Sequence, residues 1–203
     1  MSLPTNFVKV HKFCGFEHKQ IGKNIVKELT LPNGVVIEFE DIIALAGDYY
    51  GLPKHPIINP LIVEEEDPGR DQRFIEAYST LARAPKDELQ RELDKLLETL
   101  KKETEQRESF DSKTWDKITG GIWVGPLPVK QGRMLQLAEN NHDHFQPYAK
   151  HSYLTGHQLA IDKAREAGNC RGDEEKRLLH DALAMDAFAC HFLTDGFASG
   201  HIR

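Results

Sequence analysis

The chain has 203 residues, with 39% hydrophobic and 29% charged side chains, enough to bury one core and unlike a disordered or fibrous composition. Asp and Glu number 32 against 26 Lys and Arg, a net charge of −6 that argues against duplex nucleic acid, which needs a clustered basic face. No apolar run approaches the ~20 residues of a transmembrane helix, and the opening MSLPTNFVKVHKF has no apolar signal-peptide core.

Residues 16–29 carry Ile21, Ile25, Val26 and Leu29 at helical spacing, and Pro32-Asn33-Gly34 breaks the pattern. Val35 to Phe39 is a short β-branched run, readable as a strand or as an extended entry to the next helix. Residues 40–50 read as a helix with an acidic first turn, ended by Gly51 and Pro53. Prolines and the run Glu64-Glu65-Glu66-Asp67 make 52–72 a loop. Helices are predicted over 73–83 and 85–108. The second has Leu89, Leu93, Leu96, Leu97 and Leu100 along one stripe, the pattern of a surface helix packed on one side. Residues 109–133, rich in Gly, Pro, Trp and Thr, promise little regular structure, with GIWV readable as a short strand or as an aromatic plug. Helices are again predicted over 134–140, 147–167 and 174–198, with a loop at 168–172. The expected class is therefore all-α with long loops.

Cys14, Cys170 and Cys190 form no C-x-x-C pair and read as free thiols. Histidine is the unusual count. Of ten, six fall within the fifty residues from His142 to His191, with His201 close behind. His191 and Asp195 are i and i+4 on one helix face, beside Ala184, Phe188 and Phe192. A histidine and a carboxylate on an apolar face need a partner; a hydrogen bond between them or a shared metal ion would each supply one. His142 and His144 form a second cluster, of which one is expected to be a ligand. Asp48 lies at the C-terminal end of the otherwise apolar predicted helix 40–50, where the dipole disfavours a carboxylate. His18 is a lone helix histidine.

The spacing His191-x₃-Asp195-x₅-His201, with the stretches ALAGDYYG (44–51), NHDHF-x₂-YA (141–149) and HFLTD-x-FASGHIR (191–203), resembles the zinc-dependent phospholipase C family, which also includes zinc-dependent single-strand nucleases. The resemblance covers about 11–51 and 139–203. It is strongest to larger bacterial enzymes that hydrolyse phosphatidylcholine. It implies a multi-helical domain spanning 1–203, with an inserted charged helical segment at about 62–118. It also implies up to three zinc ions in a complete site, a phospholipid substrate at a membrane surface, and secretion or export. Carried onto this chain, Asp48, His144, His191 and Asp195 would hold one zinc. Asp195 would bridge to a second, shared with His18, and His201 would serve the remaining ion. Asp48 is also the expected catalytic carboxylate, as ligand or as hydrogen-bond partner of the attacking water.

Two departures from the family stand out. The family's short members use an N-terminal Trp as a ligand, whereas here the first Trp is Trp115, leaving His11, or a different arrangement of that ion. The family's downstream His-x₃-Glu or His-x₃-Asp motif would lie beyond Arg203, so the chain is expected to be incomplete and weakly active or inactive alone, holding fewer ions. His142 is a further candidate ligand. Two alternatives to a phospholipase C are a single-strand nuclease of the same fold and a non-catalytic helical metal-binding module.

Overall fold

A computed structural model describes residues 15–23, 25, 28–62, 67–106 and 108–198, the side chain of Phe16 aside. The described residues are mostly helical, as expected, and a few places depart from the sequence reading. Helix α1 runs only from Gly15–Gly22, and Leu29–Thr30 (β1) pairs antiparallel with Val36–Ile37 (β2). The Pro32-Asn33-Gly34 turn closes this hairpin, with Leu31 N–H donating to Val35 O at 2.8 Å. Leu29, Leu31 and Val35 are thereby buried, so tertiary burial overrides the helical spacing of the segment. Asn33 Nδ2 ties the turn to Leu81 O and Ala84 O, both at 3.0 Å.

Helix α2 spans Phe39–Leu45, shorter than the predicted 40–50. Ala46 is extended and Gly47 has φ +71°, so the chain leaves the helix before Asp48. Asp48 therefore sits on a tight turn, and the unfavourable dipole position predicted for it does not arise. Helix α3 (Arg70–Ala82) and helix α4 (Lys86–Gln106) follow. Leu89, Leu93, Leu96 and Leu100 of α4 are buried and Leu97 is partly buried, as the stripe predicts. These leucines belong to the same core as Phe74 and Phe188, so this segment packs into the one core of the described residues.

The Gly- and Trp-rich stretch is more ordered than its composition suggests. Asp111 caps α5 (Ser112–Ile118) by accepting from Thr114 N–H at 2.9 Å. A hairpin of β3 (Ile122–Val124) and β4 (Leu127–Lys130) follows. Buried Asp116 organises it, accepting from Trp123 Nε1 and from Gly132 N, each at 2.7 Å. After α6 (Arg133–Ala138) and a 3₁₀ turn at His142–His144, α7 (Tyr148–Gly168) and α8 (Asp173–Asp195) form a long helical hairpin. Gly156 allows α7 to approach closely, because a Cβ there would lie 2.1 Å from Phe74 Cε2 and 2.7 Å from Ala189 Cβ. Phe188 of α8 meets the ring edges of Phe74 and Tyr78, at centroid distances of 5.7 and 5.8 Å. Cys170 and Cys190 are free thiols; Cys14 lies outside the described residues.

Candidate metal centre

The last turn of α8 carries His191, Thr194 and Asp195, all buried. Helical spacing aims His191 and Asp195 at the same point, 3.8 Å apart from Nε2 to Oδ2. Helix α2 crosses there, and His191 Nδ1–H donates to the Ile43 carbonyl at 2.8 Å. A carbonyl only accepts, so this bond places the proton on Nδ1 and leaves the Nε2 lone pair facing inward.

Helix α1 brings in His18 by the same device. Thr194 Oγ1 donates its one proton to His191 O at 2.8 Å, so it accepts from His18 Nδ1 at 2.5 Å. His18 Nε2 then faces Asp195 Oδ1 at 3.6 Å, and its ring stacks on His191 at 4.6 Å. The 3₁₀ turn delivers His144, whose Nδ1 lies 3.1 Å from Asp195 Oδ2, 3.2 Å from His191 Nε2 and 3.9 Å from Asp48 Oδ1. Asp143 flanks its other nitrogen at 3.9 Å and is itself held by Ile57 N–H at 2.9 Å.

Two sets of three emerge, sharing His191. They are His18, Asp48 and His191, and His144, His191 and Asp195, with the ligand atoms of each set within 4.8 Å of one another. An ion holding nitrogen and oxygen ligands tetrahedrally at about 2.0–2.1 Å sets those atoms about 3.3 Å apart. The second set has 3.1, 3.2 and 3.8 Å, a close match. The donor chemistry fits equally well. Lone pairs of two imidazoles and the oxygens of two carboxylates converge on an interior point, which calls for a positive charge. These buried groups could therefore hold a metal ion.

Gly47 is part of the cradle. A Cβ on it would stand 2.6 Å from His144 Cε1 and 2.6 Å from His191 Cδ2, in a left-handed conformation that disfavours any side chain.

Electrostatics divides the two histidines of the second set. Burial pushes His144 down, but the carboxylates of Asp195, Asp48 and Asp143 more than offset it and hold its pKa up at about 10. Burial dominates at His191 and lowers it to about 4, with Asp195 opposing and the neighbouring His18 adding to the fall. Beside His144 lies a cavity of about 20 Å³, room for a water-sized group, with Asn140, Asn141 and Asp143 on its wall.

The structure thus gathers His18, Asp48, His144, His191 and Asp195. His142 is exposed and belongs to neither ligand set among the described residues. His11 and His201 lie outside the described residues. Two other carboxylates of α8 have partners away from the ligand sets: Asp181 accepts from the Tyr78 hydroxyl at 2.8 Å, and Asp186 lies 2.7 Å from His157 Nδ1. Sequence reasoning missed the supports Ile43, Gly47 and Thr194. Gly47 left a signal, a glycine between an apolar helix and an aspartate; a backbone carbonyl leaves none. No protein-family model, curated protein or solved structure matches this chain.

Proposed function

We propose that the chain is a zinc-dependent phosphodiester hydrolase, a phospholipase C acting on phosphatidylcholine or a related phospholipid and exported from a bacterial cell. The observation that carries the reading is the gathering of three imidazoles and two carboxylates into two adjoining ligand sets that share His191, two of the imidazoles having their Nδ1 protons tied to oxygens. Nitrogen and carboxylate ligands at tetrahedral spacing suit zinc, and the motif resemblance supplies the reaction. When bound, zinc acts as a Lewis acid toward phosphoryl oxygen and brings the pKa of water toward ~7.

The chain's own residues divide the remaining work. Asp195, whose side chain is fully buried against His144, provides the carboxylate that faces the ion. His18 and His191 hold their Nε2 atoms in fixed orientation through Thr194 and Ile43. Asp48 is the most exposed of the five, its side chain 9% accessible, and stands at the outer edge of the cluster. There it accepts a hydrogen bond from the attacking water and takes its proton as the water oxygen bonds to phosphorus, while the bond from phosphorus to the diacylglycerol oxygen breaks and that oxygen leaves with a proton from solvent.

The test is release of phosphocholine and diacylglycerol from phosphatidylcholine by the zinc-loaded chain. The expected result is activity abolished by a chelator and restored by zinc, at least ~100-fold lower in His191→Ala and unchanged in His142→Ala. A zinc-loaded chain that cleaves single-stranded nucleic acid and releases no phosphocholine, or phosphocholine release unchanged in His191→Ala, would overturn the reading.

A further inference from the structure

The β3–β4 hairpin is unlike the rest of the surface. Its tip carries four aliphatic side chains in the open: Ile122 (55% exposed), Val124 (68%), Leu127 (70%) and Val129 (68%). Val124 and Leu127 are directly paired across the strands, so their side chains share one face. Trp123 and Pro128 are paired on the other face, and the Trp123 indole is bonded to buried Asp116. One face of the hairpin is thus moored to the body while the aliphatic one is left in water. Single exposed aliphatics are ordinary; four within eight residues on one projecting ribbon are not.

The charge around this ribbon runs against the chain as a whole. From 112 to 138 there are three lysines, Lys113, Lys117 and Lys130, and Arg133, which is paired with Glu92, against one acid, the buried Asp116, with exposed Asp111 and Glu139 just outside the segment, in a protein of net charge −6. Lys113 Nζ donates to Gly125 O at 2.5 Å, so its ammonium stands beside the turn of the hairpin. Lys117 and Lys130 are exposed. An aliphatic tip with ammonium groups around it matches a lipid bilayer carrying negative headgroups: the aliphatics enter the acyl boundary and the lysines meet the phosphates.

We infer that the β3–β4 hairpin is a membrane-docking wedge that seats the protein on an anionic phospholipid surface. Its position suits that role. Helix α6, six residues and ~9 Å long, links the hairpin to the metal cluster. Arg133 at its start donates to Tyr49 O, and Leu137 near its end borders the cavity beside His144. This inference deepens the phospholipase reading and rests on it for its purpose, but docking is measured without turnover.

The test is co-sedimentation of the zinc-loaded chain with vesicles of phosphatidylcholine and phosphatidylglycerol, beside the double variant Val124→Ser/Leu127→Ser. These side chains lie outside the core, so the variant retains its helical circular dichroism and its zinc content. The expected result is vesicle binding at least tenfold weaker in the variant. Binding by a second variant, Lys117→Gln/Lys130→Gln, should fall on phosphatidylglycerol-containing vesicles and lose most of its salt dependence. Equal binding by the wild type and the Val124→Ser/Leu127→Ser variant, or no binding by the wild type, would overturn the inference. So would a vesicle-free dimer that dissociates on the same double substitution, because the ribbon would then be covered by a second copy. Vesicle binding by a chain that cleaves single-stranded nucleic acid and releases no phosphocholine would leave the wedge standing and remove the phospholipase reading alone.

Discussion

Asp195 lies in the interior with its oxygens facing three imidazoles, and without a metal the charge that balances it is the proton on His144. With its pKa held at about 10, His144 is protonated at pH 7, while His191, at about 4, is neutral. An ion that takes the His144 Nδ1 lone pair must expel that proton; at His191 there is none to expel. Zinc binding at pH 7 is therefore expected to release about one proton per ion at this set, read as the buffer-dependent heat in calorimetry. Release near zero would mean that His144 is neutral or is not a ligand. The linkage has a definite sign in the metal-free protein. The raised pKa of His144 contributes stability that is full below its ordinary value of 6.5 and is lost as pH rises toward about 10. The lowered pKa of His191 acts the other way, its stability present above 6.5 and lost as pH falls toward about 4. Gly47 gives a second test. Gly47→Ala forces a left-handed alanine, costing ~1–2 kcal/mol, and drives a methyl group against both ligand rings. It should lower both the thermal midpoint and the zinc affinity, measured by melting with and without the metal; an alanine variant with wild-type affinity would show that the rings are not held in this cradle. Much of this was legible beforehand, since His191 and Asp195 are four residues apart on a helix and the interior cost of that pair is elementary. The tautomers were not, because they depend on a backbone oxygen of α2 and a hydroxyl whose own proton is already committed.

Among the elements, α4 separates two views of the charged middle of the chain. An insertion laid on a finished domain would contribute little to its stability. Leu93 is instead 1% exposed and sits in the same core as Leu45, Phe74 and Phe188. Leu93→Ala is expected to cost ~2–5 kcal/mol in urea unfolding, and a loss below ~1 kcal/mol would fit an ornament rather than a core helix. The leucine stripe disclosed which face α4 buries but not what lies beneath it, because periodicity carries no information about partners. The same limit explains the other departures. Leu29 fits a helical pattern and is claimed by a two-stranded hairpin whose turn is tied to α3. The hairpin after α5 is built on Asp116, a buried carboxylate that no local propensity reveals. Helix α8 was the clearest in the sequence, being long, apolar on one face and acidic in its first turn.

At the scale of the molecule, the candidate metal cluster joins elements far apart in sequence. His18 comes from α1, Asp48 from the turn after α2, His144 from a 3₁₀ turn, and His191 and Asp195 from the end of α8. An ion bound to these groups binds the folded state and not the unfolded chain, so it stabilises the assembly by RT ln(1 + [L]/Kd), about 4 kcal/mol at a thousandfold excess over Kd. The most direct measurement is zinc bound per chain, by equilibrium dialysis with elemental analysis, for the wild type, Asp195→Asn, His191→Ala and His142→Ala, each with its circular dichroism. The expected result is at least one zinc per wild-type and His142→Ala chain, a fall of at least one ion in Asp195→Asn and His191→Ala, and helical spectra throughout. A wild-type chain that is folded and retains no zinc, or an Asp195→Asn chain that retains as much as the wild type, would contradict a metal centre at this cluster.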